Sequence, residues 1–154
     1  MPKYNPQDIA LMEQALAQAR EGATEGEVPV GALIAMDGRI VARAHNRPIA
    51  LNDPTAHAEI LAIRAAGAAL KTYRLIGATL YVTLEPCTMC VGALINARIA
   101  RLKFGARDPK AGAAGSVYDI GRDGRLNHRI EVYPGLMQAQ CAALLEQFFA
   151  ARRA

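Results

Sequence analysis

Three observations place this 154-residue chain in the α/β class, as one domain spanning residues 1–154. Helical and extended patterns alternate along its length. An Asp37-Gly38 turn joins two apolar runs into a hairpin. The stretch from Thr79 to Leu84 is short, apolar and rich in strand-forming residues. Strands that alternate with helices need crossover connections, which cover a sheet on both faces. The composition predicts how those layers pack. Apolar residues make up 52%, but 31 residues are alanine and only eight are aromatic, with no tryptophan. Small side chains of this kind favour close helix packing and pockets shaped by backbone approach.

The elements follow in order. Asn5 can cap a first helix, Pro6 suits its first position and Asp8 its first turn. Ile9, Met12, Leu16 and Ala19 continue it at helical spacing to about Gly22. Val28–Met36 reads as a buried strand, returning through Arg39–Ala44 after the turn. Asn46–Pro54 is a loop with two prolines, and Thr55 is a good cap for a helix from His57 to Ala69. Thr79–Leu84 is the clearest strand, followed at once by Pro86 and a helix to about Asn96. Ile99–Phe104 is a fourth strand and Gly105–Gly115 a charged, glycine-rich functional loop. Arg129–Tyr133 is a short last strand. Met137–Arg152 closes the chain as a helix with Met137, Cys141, Leu144, Leu145 and Phe148 on one face.

Composition and charge exclude several functions. Apolar residues spread through the chain rule out a disordered protein. No apolar run approaches the ~18–20 residues that cross a bilayer. Asp8 and Glu13 interrupt the N-terminal region where an export signal would be apolar, so a cytoplasmic protein is expected. Net charge is +4, unevenly placed: residues 1–97 hold 8 Lys/Arg against 9 Asp/Glu, and residues 98–154 hold 10 against 5. A basic C-terminal third points to a polyanionic partner or to an ordinary solvated surface.

Three features sit on element boundaries: His57-Ala-Glu59, Pro86-Cys87 and Cys90. The helix after His57 carries the chain away by roughly 20 Å and the Thr79 strand returns it, so two helix N-termini can meet at one sheet edge. Cys87 and Cys90 are three apart and face the same way in a first helical turn. The positive end of the helix favours their thiolates. With His57 they form a three-ligand zinc set that leaves one tetrahedral position for water. Glu59 is close enough to shuttle that water's proton. Two other readings stand beside this one. Cys-x-x-Cys after a strand also suits a redox pair. A structural zinc would draw a fourth ligand from Cys141, His45 or His128, although Cys141 falls on an apolar helix face.

His57-Ala-Glu59 with Pro86-Cys87-Thr-Met-Cys90 matches the signature of the zinc-dependent cytidine/deoxycytidylate deaminase superfamily. Further segments resemble the bacterial tRNA-specific adenosine deaminases over almost the whole chain. They are Glu27–Ala32, Asn46-Arg-Pro48, Asp53–Ala56, Thr79–Cys90, Gly105–Asp108, Gly112–Ser116, Asn127-His-Arg129 and Phe148-Phe149. The resemblance implies a cytidine deaminase-like three-layer α/β/α sandwich around a mixed sheet of about five strands. It implies hydrolytic deamination of adenosine to inosine at the tRNA wobble position, with zinc-activated hydroxide attacking C6 and Glu59 shuttling protons. One Zn2+ per subunit would be held by His57, Cys87 and Cys90. Asn46 would bind the nucleoside, with Val28 and Leu84 walling the pocket. Glu27, Asp108 and Lys110 would meet the anticodon loop, and Phe149, Arg152 and Arg153 its outer edge. The family is a homodimer. Asp123-Gly124-Arg125 stands where a Pro-Gly turn is expected. The alternatives are a free-base or nucleoside deaminase acting on cytosine or guanine, and a non-catalytic zinc protein that binds RNA.

Overall fold

The computed structural model describes residues 4–153. Helix α1 (Pro6–Thr24) leads into strands β1 (Gly31–Met36) and β2 (Arg39–His45). A short helix α2 (Pro48–Leu51) and helix α3 (Ala58–Leu70) follow, then β3 (Thr79–Leu84) and α4 (Thr88–Asn96). Strands β4 (Arg101–Ala106) and β5 (Glu131–Tyr133) and helix α5 (Gln138–Arg153) complete the order. The five strands form one mixed sheet in the order β2-β1-β3-β4-β5. β1 is antiparallel to β2 and β3, and β3, β4 and β5 run parallel. This is the expected three-layer α/β sandwich.

Strand alternation divides the core. Ala32, Ile34, Leu80 and Val82 face α3 and α4, where Ala58, Ala62 and Ala66 recur at helical spacing beside Val91 and Leu94. Leu33, Ala35 and Tyr81 face α1 and α5, against Leu11, Met12, Ala15, Leu16 and Cys141. Because both faces are covered, β1 and β3 read as nearly continuous apolar runs. The small residues are needed where layers touch. A Cβ on Gly31 would stand 1.9 Å from the Ala15 carbonyl oxygen, so α1 lies directly on the start of β1.

Local signals form as written in the sequence. Asn5 accepts a hydrogen bond from the Asp8 amide at 2.7 Å, and the Asp8 carboxylate accepts one from the Asn5 amide. Asp37 and Gly38 both take positive φ, 52° and 77°, as the tight hairpin turn requires. Four boundaries depart from expectation. Residues 28–30 stay outside β1 because the Val30 amide turns back to the Val28 carbonyl. The proline loop contains α2. β4 begins two residues late, since Arg98 in a left-handed conformation (φ 63°) turns the chain before pairing starts. β5 is trimmed to three residues. Among the described residues no helix is long and apolar enough to cross a membrane.

Candidate metal centre and catalytic pocket

The two helix N-termini meet as the spacing requires. His57 occupies the position just before α3 and Cys87 the position just before α4, with Cys90 one turn further on. His57 Nδ1 lies 3.7 Å from Cys87 Sγ and 3.5 Å from Cys90 Sγ, and the three donor atoms stand within 4.8 Å of one another. Nitrogen and sulfur bonded tetrahedrally to zinc, at ~2.0–2.1 and ~2.3 Å, stand roughly 3.6 Å apart. The donor set therefore fits a zinc ion in both chemistry and spacing. Thr55, the expected cap of α3, instead bonds Asp53. The carbonyl oxygen of the Asn46 side chain takes its place, accepting from the Ala58 amide at 2.8 Å.

The electrostatics mark a shared proton system. Cys90 and then His57 hydrogen-bond to Cys87 and bring its thiol down to about 3. His57 is shifted up by the same contact with Cys87. Cys90 is shifted up, first by its bond to Cys87 and then by burial. Glu59, 4% exposed in the first turn of α3, is pushed up to about 7, chiefly by burial. A cation held by both sulfurs must displace the proton that Cys90 keeps.

A cavity of 280 Å³ opens on these groups, and Val28, Asn46, Leu84 and Asp108 are among the residues that line it. With the Asn46 oxygen committed to α3, its NH2 remains for a ligand. An adjoining cavity of 440 Å³ shares Val28, Leu84 and Asp108 and adds Arg107, Lys110 and Phe149. Arg153 is exposed near the end of α5. Two expected contact residues have other partners. Glu27 is 1% exposed and accepts from the Ile49 and Ala50 amides at 3.2 and 2.8 Å, anchoring α2. Arg152 donates to the Gly26 carbonyl at 2.8 Å and lies 4.2 Å from the Phe148 ring centre.

Glu85 is a site residue that motif reading missed. It is 2% exposed, lines the catalytic cavity, and anchors the loop that carries Asp108. Its sequence signals were an acid directly after an apolar strand and a loop, Gly112–Ser116, rich in small residues with free amides.

Other chemistry-bearing groups lie apart. His45 donates through Nδ1 to the Asn46 carbonyl at 3.0 Å and faces Glu25 at 3.2 Å. Glu21, Glu25 and His45 bring metal-donor atoms together, but Glu25 is already shared between His45 and Arg47. Cys141 is buried in the core against α1, and burial pushes its thiol up to about 12. A polar cavity of 240 Å³ at the opposite end of the strands is lined by Asp8, Arg101 and Lys103 and holds no histidine or cysteine.

Comparison with known proteins bears on this geometry. The cytidine and deoxycytidylate deaminase zinc-binding region matches residues 5–106. A tRNA-specific adenosine deaminase of Agrobacterium fabrum is 51% identical over 143 residues, covering 93% of this chain and 94% of its own. A structure from a study of A-to-I editing by tRNA:A34 deaminases at the wobble position superposes with a TM-score of 0.86 at 50% identity, covering 88% of this chain and 99% of the other. A guanine deaminase from Nitrosomonas europaea gives a TM-score of 0.78 at 28% identity, covering 97% and 87%.

Proposed function

This chain belongs to the bacterial zinc-dependent family of tRNA-specific adenosine deaminases, and on that premise we propose how its residues carry out the reaction. The reaction is hydrolytic deamination at the wobble position of a tRNA anticodon: adenosine and water give inosine and ammonia. One observation carries the reading. His57, Cys87 and Cys90 converge at two abutting helix N-termini, with the buried carboxyl of Glu59 beside them.

His57 Nδ1 and the two sulfurs would hold one zinc ion per subunit. Bound there, zinc supplies a Lewis acid that makes water a nucleophile near neutral pH. Glu59 is the proton carrier. It takes one proton of the water that adds at C6 and delivers it to the purine ring nitrogen. It then takes the second from the new C6 hydroxyl and delivers it to the amine as the C6–N bond breaks. Glu59 is buried beside the metal donors, so its carboxyl meets the reacting groups without bulk water competing for the proton. The NH2 of Asn46 hydrogen-bonds the nucleoside, and Val28 and Leu84 pack on the base.

The second cavity favours a polynucleotide over a free base. It continues from the catalytic pocket into a basic, aromatic rim of Arg107, Lys110 and Phe149, which a free purine would not reach. Asp108 and Lys110 meet the anticodon loop there. Phe149 and Arg153 lie along its outer edge, and Arg152 supports them from behind. Glu27 acts through the α2 loop.

The chain acts as one deaminase domain in a cytoplasmic homodimer. Support for the dimer comes from α4, where Met89, Gly92, Ala93 and Asn96 form a face that the core does not cover. A Cβ at Gly92 would meet nothing within 4 Å among the described residues, so none of them demands a glycine there. Close approach of a second copy does.

The test is incubation of zinc-loaded protein with an anticodon stem-loop bearing a wobble adenosine. Inosine should accumulate in the stem-loop, while free adenosine, cytidine and guanine stay unchanged. Turnover of guanine with no inosine in the stem-loop would replace this reading by the free-base one.

A further inference from the structure

Glu85 sits between the end of β3 and the zinc-binding turn, with its carboxylate hydrogen-bonded into the loop after β4. Its Oε1 accepts from the Asp108 amide at 3.1 Å and from the Ser116 hydroxyl. Its Oε2 accepts from the amides of Ala114 and Ser116, both at 3.0 Å. Four donors match the lone-pair capacity of an ionised carboxylate. None of the ion pairs among the described residues includes Glu85. A buried carboxylate without a cation is tolerated only when hydrogen bonds of this number replace its water.

The loop is built around that group. The Ala113 amide donates to the Pro86 carbonyl at 2.8 Å, and the Gly112 amide to the Asp108 carbonyl at 2.9 Å. A Cβ on Gly112 would stand 2.3 Å from the Glu85 carboxyl carbon, so the glycine is what lets the loop close on the acid. Asp108 and Ala111, on the near side of this loop, line the catalytic cavity. The loop contains turns and one isolated bridge, Ala114 to Asp119, but no helix or strand.

We propose that Glu85 is a positioning residue that holds the 108–116 loop closed as one wall of the catalytic pocket, so that the substrate nucleoside meets a wall already formed. The inference rests on the deaminase reading of the pocket, and it adds a binding role for an acid whose carboxylate is committed to the loop. A pre-formed wall spares the substrate the ordering of the loop, so loss of the clamp weakens binding more than chemistry.

The experiment uses the zinc-loaded enzyme, a wobble-adenosine stem-loop and three variants. Glu85→Gln places an NH2 among amide donors. Ser116→Ala removes one donor from an exposed residue, and Ser116→Thr restores the hydroxyl. Glu85→Gln should raise KM roughly tenfold with kcat within about threefold and zinc content unchanged. Amide exchange at Asp108, Ala114 and Ser116 should quicken in the same protein. Ser116→Ala should shift KM in the same direction by a smaller factor, and Ser116→Thr should return it to the parent value. A fall in kcat at constant KM, loss of zinc, or unchanged exchange in the loop would overturn the proposal. If Glu85→Gln fails to fold, the Ser116 pair decides it, and equal KM in both would count against it. A parent enzyme that leaves the stem-loop unmodified would sink the deaminase reading instead, while the exchange measurement would still judge the clamp.

Discussion

At the scale of single residues, the proposed reaction separates holding metal from moving protons. Glu59→Ala should keep stoichiometric zinc while turnover falls by about 10²–10⁴-fold, the usual contribution of one general acid/base. Cys87→Ala and His57→Ala should lose the zinc itself. Metal analysis beside single-turnover kinetics checks both, and zinc lost from Glu59→Ala would make that residue a ligand. A second buried acid has a purely structural consequence. Asp8 accepts from Lys103 at 2.8 Å and from the Tyr81 hydroxyl at 2.6 Å. Burial works to raise its pKa, but these bonds outweigh it, and the net shift is downward. A folded pKa below the unfolded value of about 3.9 gives stability that is full above that value. It is lost as pH falls through the lower, folded pKa. Asp8→Asn should therefore flatten the acid limb of a denaturation profile below about pH 4. An unchanged limb would remove Asp8 from that role.

At the scale of elements, contacts between layers depend on absent side chains. Gly31→Ala would drive a methyl into backbone atoms of α1, 1.9 Å from the Ala15 oxygen and 2.6 Å from the Ala19 nitrogen. Backbone cannot rotate aside as a side chain can, so a loss at or above the usual ~1–3 kcal/mol of overpacking is expected in a denaturant titration. The end of α5 behaves differently. Arg152 is tied to Gly26 and stacked on Phe148, whereas Arg153 has no hydrogen bond among the described residues. Arg153→Ala should flatten the salt dependence of stem-loop binding by about 0.7 in log–log slope, one phosphate contact, with melting unchanged. Arg152→Ala should also loosen α5 from the loop after α1, visible as faster amide exchange there. Equal slopes for the parent and Arg153→Ala would take that arginine out of the interface.

At the scale of the whole molecule, the proposed dimer makes a prediction with an unusual sign. Gly92 lies within a helix, where replacing glycine should stabilise an isolated subunit by up to ~1 kcal/mol. Gly92→Gln should nonetheless shift the sedimentation equilibrium toward monomer, because the added side chain occupies the space a second α4 needs. A stabilised dimer would place the subunit contact elsewhere.

The sequence alone determined the His-Cys-Cys cluster, the place of the proposed proton carrier, the hairpin and the order of layers. Each of these is encoded within a few residues: His-x-Glu, Cys-x-x-Cys, Asp-Gly and the apolar period of a strand or helix. Length arithmetic on one helix and one strand then sufficed to bring His57 and Cys87 together across thirty positions. Tertiary structure alone decided how the pocket walls are held. The donors to Glu85 lie 23 to 31 residues away, and those to Glu27 lie 22 and 23 away. An acid directly after an apolar strand hints at Glu85, but nothing local says which amides will meet it, and nothing local marks Glu27. The same holds for the cap on α3, which Thr55 resembles in sequence but Asn46 provides from twelve residues upstream. Periodicity and spacing specify which face a side chain takes. The partner of a buried polar group is fixed only when distant backbone amides, unable to reach water, have been folded against it.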